Sequence, residues 1–68
     1  MNEETFNLSI RKFLKVVGVS SQREIEQAIS KALADGTIAG TEHFPVSVTL
    51  EMPGVRLNVR FDGEIHLE

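Results

Sequence analysis

The chain has no cysteine, no tryptophan and no tyrosine, and only two prolines among its 68 residues. Without cysteine there is neither a disulfide framework nor a thiolate metal site to reinforce a small core. Without tyrosine there is no phenol for proton transfer. No apolar run approaches the ~18 residues that a membrane span needs. The opening "MNEETFNLSI" lacks the basic start and apolar stretch of a secretion signal, so cytoplasmic residence is expected. A domain this short buries only ~60% of its unfolded surface, so a single domain over residues 1–68 with modest stability is expected.

Basic charge is also scarce where it would matter. Residues 1–35 balance five basic against five acidic side chains. Residues 36–68 carry only Arg56 and Arg60 against Glu42, Glu51, Asp62, Glu64 and Glu68. Affinity for phosphate backbones comes mainly from clustered Lys and Arg releasing counterions. A balanced half joined to an acidic half is a poor platform for nucleic acid or for an anionic membrane.

What is present is a change of pattern near Gly36. Before it, apolar residues recur at helical spacing. Asn2 suits an N-cap, with Glu3 and Glu4 near the positive end of the helix dipole. Phe6, Ile10, Phe13, Leu14 and Val17 form one stripe, and Gly18 has the form of a C′ stop. In "SSQRE", Ser21 and Glu24 have capping-box spacing and open a second stripe of Ile25, Ala28, Ile29, Ala32 and Leu33, which Gly36 ends. Two helices, about 3–17 and 21–35, are therefore predicted.

After residue 43 the apolar residues alternate. Phe44, Val46, Val48, Leu50 and Met52 point one way, and Ser47, Thr49 and Glu51 the other, which predicts a half-buried antiparallel strand. "PG" at 53–54 turns the chain, and Val55, Leu57 and Val59 resume the alternation. A turn centred there, or a four-residue loop from Met52 to Val55, sets Met52 against Val55, Leu50 against Leu57, and Glu51 against Arg56, so apolar meets apolar and opposite charges meet. In "RFDGEIHLE", a three-residue turn of Phe61, Asp62 and left-handed Gly63 gives a third strand. One long strand running through Gly63 is the rival. The expected fold is α+β, with the two helices packed on one face of a small antiparallel meander (about 44–52, 55–60 and 64–67).

The stretch "KVVGVSSQREIEQAI" invites comparison with a DNA-reading helix-turn-helix, which needs a tight turn and a basic, groove-facing second helix. Ile25 falls one position late for that motif, and Leu14 stands where a small residue normally permits close approach. The second helix would present Arg23 and Lys31 beside Glu24 and Glu26. An ordinary αα-hairpin fits better, and a nucleic-acid-associated regulator using that hairpin is the alternative reading.

The opening "MNEETFNLSIRKFLKVVGVSSQREIEQAI" and the "PG…DGEI" close resemble a family of very small bacterial proteins of unknown function, mainly proteobacterial. "NLSIRKFLK" and "SQREIE" are the most specific blocks, and the resemblance covers nearly the full length. It implies a stand-alone cytoplasmic protein and brings no activity, ligand or catalytic residue.

Chemistry-bearing constellations are sparse. Glu64 and His66 share one strand face, but a metal site needs three or four converging groups, and the neighbouring strand is expected to offer Arg60 there. Ser20 and Ser21 serve as caps without an adjacent base, and "GTIAG" lacks the Lys and Ser/Thr of a phosphate-binding loop. No catalytic residue, metal or cofactor is expected, and the chain reads as an interaction or accessory module rather than an enzyme. On the first helix Leu8 lies ~200° around from Phe6, with Arg11, Lys12 and Lys15 at i+3, i+4 and i+7. This makes a candidate partner-binding surface for an acidic protein or for the acidic half of a second copy. A second candidate is the polar sheet face with Arg56, Arg60 and His66.

Overall fold

The computed structural model describes all 68 residues. It contains one α-helix, α1 (Glu3–Ala34), and two strands, β1 (His43–Met52) and β2 (Leu57–His66), joined by a 3-10 turn at Pro53–Val55. The order is α+β, as the sequence pattern indicates. The chain divides into two compact units, Met1–Asp35 and Gly36–Glu68. No helix is long and apolar enough to cross a membrane.

The first unit corrects the expectation of two helices. α1 starts where predicted, with the Asn2 side chain accepting a hydrogen bond from the Thr5 amide at 3.1 Å. It ends where predicted too, at a left-handed Gly36 with φ 74°. It does not stop at Gly18, and the residues of the supposed turn are all helical. Glycine permits a left-handed stop but does not compel one. Running on through it costs ~1 kcal/mol relative to alanine. Breaking the helix would instead leave up to four amides and four carbonyls to find new partners. With no proline between Gly18 and Gly36, continuation wins. The helix-turn-helix comparison loses its basis, because the αα-hairpin is absent.

The two apolar stripes become one that drifts. At ~100° per residue, the stripe from Phe6 to Val17 and that from Ile25 to Leu33 are offset by roughly 80°. A seam of this sort has a period slightly above 3.6 residues.

The second unit is a two-stranded antiparallel hairpin rather than a three-stranded meander. β2 runs through Asp62 and Gly63, so the rival reading of a single long strand describes it. The closing pair is Met52 with Leu57, followed by Glu51 with Asn58, Leu50 with Val59 and Thr49 with Arg60. Against the predicted register this is a slip of two residues. The cause is local. Proline cannot adopt the positive φ that a tight two-residue hairpin turn needs at its first position. The chain makes a longer turn, closed by Arg56 in the left-handed region at φ 57°, whose amide donates to the Pro53 carbonyl at 3.1 Å.

A slip of two leaves the faces unchanged. One face carries Phe44, Val46, Val48, Leu50 and Met52 opposite Ile65, Gly63, Phe61, Val59 and Leu57, with no polar side chain among them. The other carries His43, Pro45, Ser47, Thr49 and Glu51 opposite His66, Glu64, Asp62, Arg60 and Asn58. A third strand would have taken Phe61 off the apolar face and left the first half of β1 unpaired. The single long β2 pairs all of it.

No residue of either unit is buried. Phe61 is 58% exposed and Phe13 52%, so a core has yet to be supplied to both apolar surfaces.

Candidate functional site

The connection Thr37–Glu42 has an organiser that sequence reasoning passed over. The Glu42 carboxylate accepts hydrogen bonds from the amides of Ala39 (2.7 Å), Gly40 (2.8 Å) and Thr41 (3.0 Å). These donors, Ala39 first, hold its pKa below the ordinary carboxylate value. Gly40, at φ 100°, lets the amides turn toward the carboxylate. A carboxylate following two glycine-bearing residues in "GTIAGTE" was the available signal. Its role is to fix the entry of β1.

Immediately after it stands His43, opposite His66. The Leu67 amide donates to the Glu42 carbonyl at 3.0 Å, which makes Glu42 and Leu67 a hydrogen-bonded pair. His43 and His66 are then a non-hydrogen-bonded pair, the type that brings side chains closest. Their ring centroids lie 4.1 Å apart with planes tilted by 45°. Glu64, two residues before His66 on the same face, reaches toward both rings. Its Oε1 is 3.5 Å from His43 Nδ1 and 3.8 Å from His66 Nε2. The three donor atoms lie within 4.8 Å of one another, and all three residues are exposed. The sequence pattern pairs Glu64 with His66 and sets Arg60, which is no metal ligand, in the place of a third. In the observed register Arg60 belongs beside Thr49 instead, with its Nε donating to Asp62 Oδ1 at 2.9 Å.

The candidate residues on the polar face are thus dispersed. Arg56 lies in the turn, outside the strands, and does not oppose Glu51. Arg60 and His66 share a face but stand six residues apart, ~20 Å along the strand. The three do not form one site.

The surface of Leu8, Arg11, Lys12 and Lys15 lies within α1, and all four are exposed. Leu8 is 54% exposed and Leu14, on the supposed core stripe, 55%. Leu8 is therefore no more solvent-facing than Leu14, although Phe6 at 47%, Ile10 at 38% and half-buried Val17 on the same stripe are less exposed. A shallow, open hollow of about 350 Å³ is lined by Glu4, Asn7, Leu8 and Arg11. A second, about 300 Å³, lies at the hairpin turn beside Glu51, Pro53 and Arg56.

No curated protein and no solved structure matches the chain. Over residues 1–68 it matches the family of unknown function DUF6494, and it belongs to that family.

Proposed function

We propose that the protein works by non-catalytic association, and that the partner covering its apolar surfaces is a second copy of the same chain. The observation that carries this reading is the one-sided hairpin: five alternate cross-strand pairs, ten residues without a polar side chain among them, none of them buried. A lone two-stranded hairpin is at best marginally stable in water. A helix likewise draws most of its stability from packing its apolar face.

Area and charge both favour a second copy. The hairpin face measures ~33 by 10 Å and one side of α1 ~48 by 10 Å, together about 800 Å² per chain. That is about what each partner contributes to a standard protein interface. From Thr5 to Arg23 the helix carries Arg11, Lys12, Lys15 and Arg23 and no carboxylate, whereas Gly36–Glu68 sets two cations against five carboxylates. Charge of opposite sign steers helix and hairpin of different copies together. The cations around Leu8 lie on the side of α1 away from the apolar stripe and act on encounter rather than in the apolar contact. The open form of both hollows supports a non-catalytic role, since water-excluding chemistry needs an enclosed pocket.

Sedimentation equilibrium over a range of concentrations tests the proposal. The wild type should shift from monomer to dimer. Leu14→Glu, on the apolar stripe, should weaken association by about 10- to 100-fold, the equivalent of an uncovered leucine, with its helical circular dichroism retained. Phe61→Glu should abolish it. A wild type that stays monomeric at every concentration, with dispersed NMR resonances, would overturn the reading.

A further inference from the structure

We infer that His43, Glu64 and His66 form a binding site for a divalent transition-metal ion of the zinc type, which clips the open end of the hairpin. The inference is independent of self-association, because it concerns the polar face of the sheet. Two imidazole nitrogens and one carboxylate oxygen make a donor set of borderline softness, suited to Zn²⁺, Co²⁺, Ni²⁺ or Cu²⁺ rather than to Mg²⁺ or Ca²⁺.

The geometry is close to what such an ion requires. Ligand atoms ~2.0–2.1 Å from a tetrahedral zinc stand ~3.3 Å from each other. The His43 to Glu64 separation of 3.5 Å and the His66 to Glu64 separation of 3.8 Å nearly meet that, and no pair exceeds 4.8 Å. Small side-chain rotations close the remainder, and all three side chains are free to make them because they are exposed. Both separations exceed the 2.7–3.2 Å of an N–H···O hydrogen bond. The two rings and the carboxylate therefore converge on a common point without being bonded to each other.

The backbone holds this convergence. His43 and His66 are fixed face to face by the ladder, and the Leu67–Glu42 bond closes it one step beyond them. Glu64 follows from strand periodicity, two residues from His66 and on the same face. The nearest cation on that face, Arg60, is occupied by Asp62. Three protein ligands leave a fourth tetrahedral position for water or an external donor. Ligands that join residues 43 and 66 hold together the strand ends farthest from the turn, so the ion should stabilise the hairpin where it is weakest.

The test is titration of the untagged full-length protein with ZnCl₂ by calorimetry, paired with the visible absorption of Co²⁺. One ion should bind per chain, with Co²⁺ giving the intense bands of a tetrahedral site. NMR shifts should concentrate at His43, Glu64 and His66. His43→Ala and His66→Ala should each lower affinity by at least about 10- to 100-fold, since loss of an outer-shell partner alone does that much. Glu64→Gln should weaken binding while leaving both imidazoles ligated. Unaltered circular dichroism of the apo variants would exclude unfolding as the cause. Absence of zinc binding at millimolar concentration would overturn the proposal, as would binding that His43→Ala and His66→Ala leave unchanged.

Discussion

Helix and hairpin differ in what completes them. α1 satisfies its backbone bonds within itself, so each residue can continue the helix whatever happens far away. The hairpin satisfies its backbone only by pairing, so where β2 ends depends on how much of β1 wants a partner. Glycine shows the contrast. Gly18 and Gly63 each resemble a break signal, and the chain runs through both. Gly36 and Gly40 do take positive φ, at 74° and 100°. In the helix, the local saving of hydrogen bonds overrides the signal at Gly18. In the hairpin, the non-local demand of His43–Ser47 for a partner overrides it at Gly63.

The largest effect that would break this comparison comes from Gly18→Ala. In an uninterrupted helix alanine is favoured over glycine by about 1 kcal/mol, which raises the melting temperature by roughly 4–8 °C. Beyond the helix's own backbone and the two chain neighbours, no atom stands within 4 Å of the added Cβ. A left-handed stop at Gly18 would give the opposite sign. Thermal unfolding followed at 222 nm decides it, at one fixed protein concentration because association moves the transition.

How much was legible follows from the same contrast. The helix start at Asn2, its end at Gly36 and the split of β1 into an apolar and a polar face rest on neighbouring residues, and all were readable. The single long helix was not, because a capping box and a glycine look the same whether or not the chain uses them. The faces survived the register error because a slip of two preserves parity. The His43–Glu64–His66 cluster was hidden by the expected third strand, which sets Glu64 and His66 beside residues 58–60 and away from His43. Recognising that site required knowing that β2 runs on through Gly63 and so stays paired with the start of β1. Leu8 stands out by its angle on the helix wheel, and that contrast narrows because Phe13 and Leu14 of the stripe are about as exposed.

The next test bears on the entry to the hairpin. Glu42 has a pKa below the ordinary value because three amides donate to its ionised form. A lowered folded-state pKa contributes stability that is fully present above the unfolded carboxylate's pKa. That contribution is lost as pH falls through the folded value. Glu42→Gln replaces one accepting oxygen with a donor that faces an amide. The variant should melt below the wild type at neutral pH, and the two curves should converge in acid. A gap of equal size at both pH values would mean that the carboxylate charge plays no part.

The smallest effect belongs to Gly63→Ala, and it bears most directly on the length of β2. Gly63 sits in the strand opposite Val46, and an added Cβ would lie 3.6 Å from Val46 Cγ1, an ordinary contact. Glycine within a strand is less favourable than alanine by about 0.5–1 kcal/mol, so the substitution should raise the melting temperature by a few degrees. The new methyl should also show a nuclear Overhauser effect to the Val46 methyls. A three-residue turn at Phe61–Gly63 predicts the reverse on both counts: a left-handed residue strained by its new side chain, and no contact with Val46. The two readouts are needed together. A rise without the contact would come from the unfolded chain alone, whereas the contact can arise only if the strand passes through residue 63.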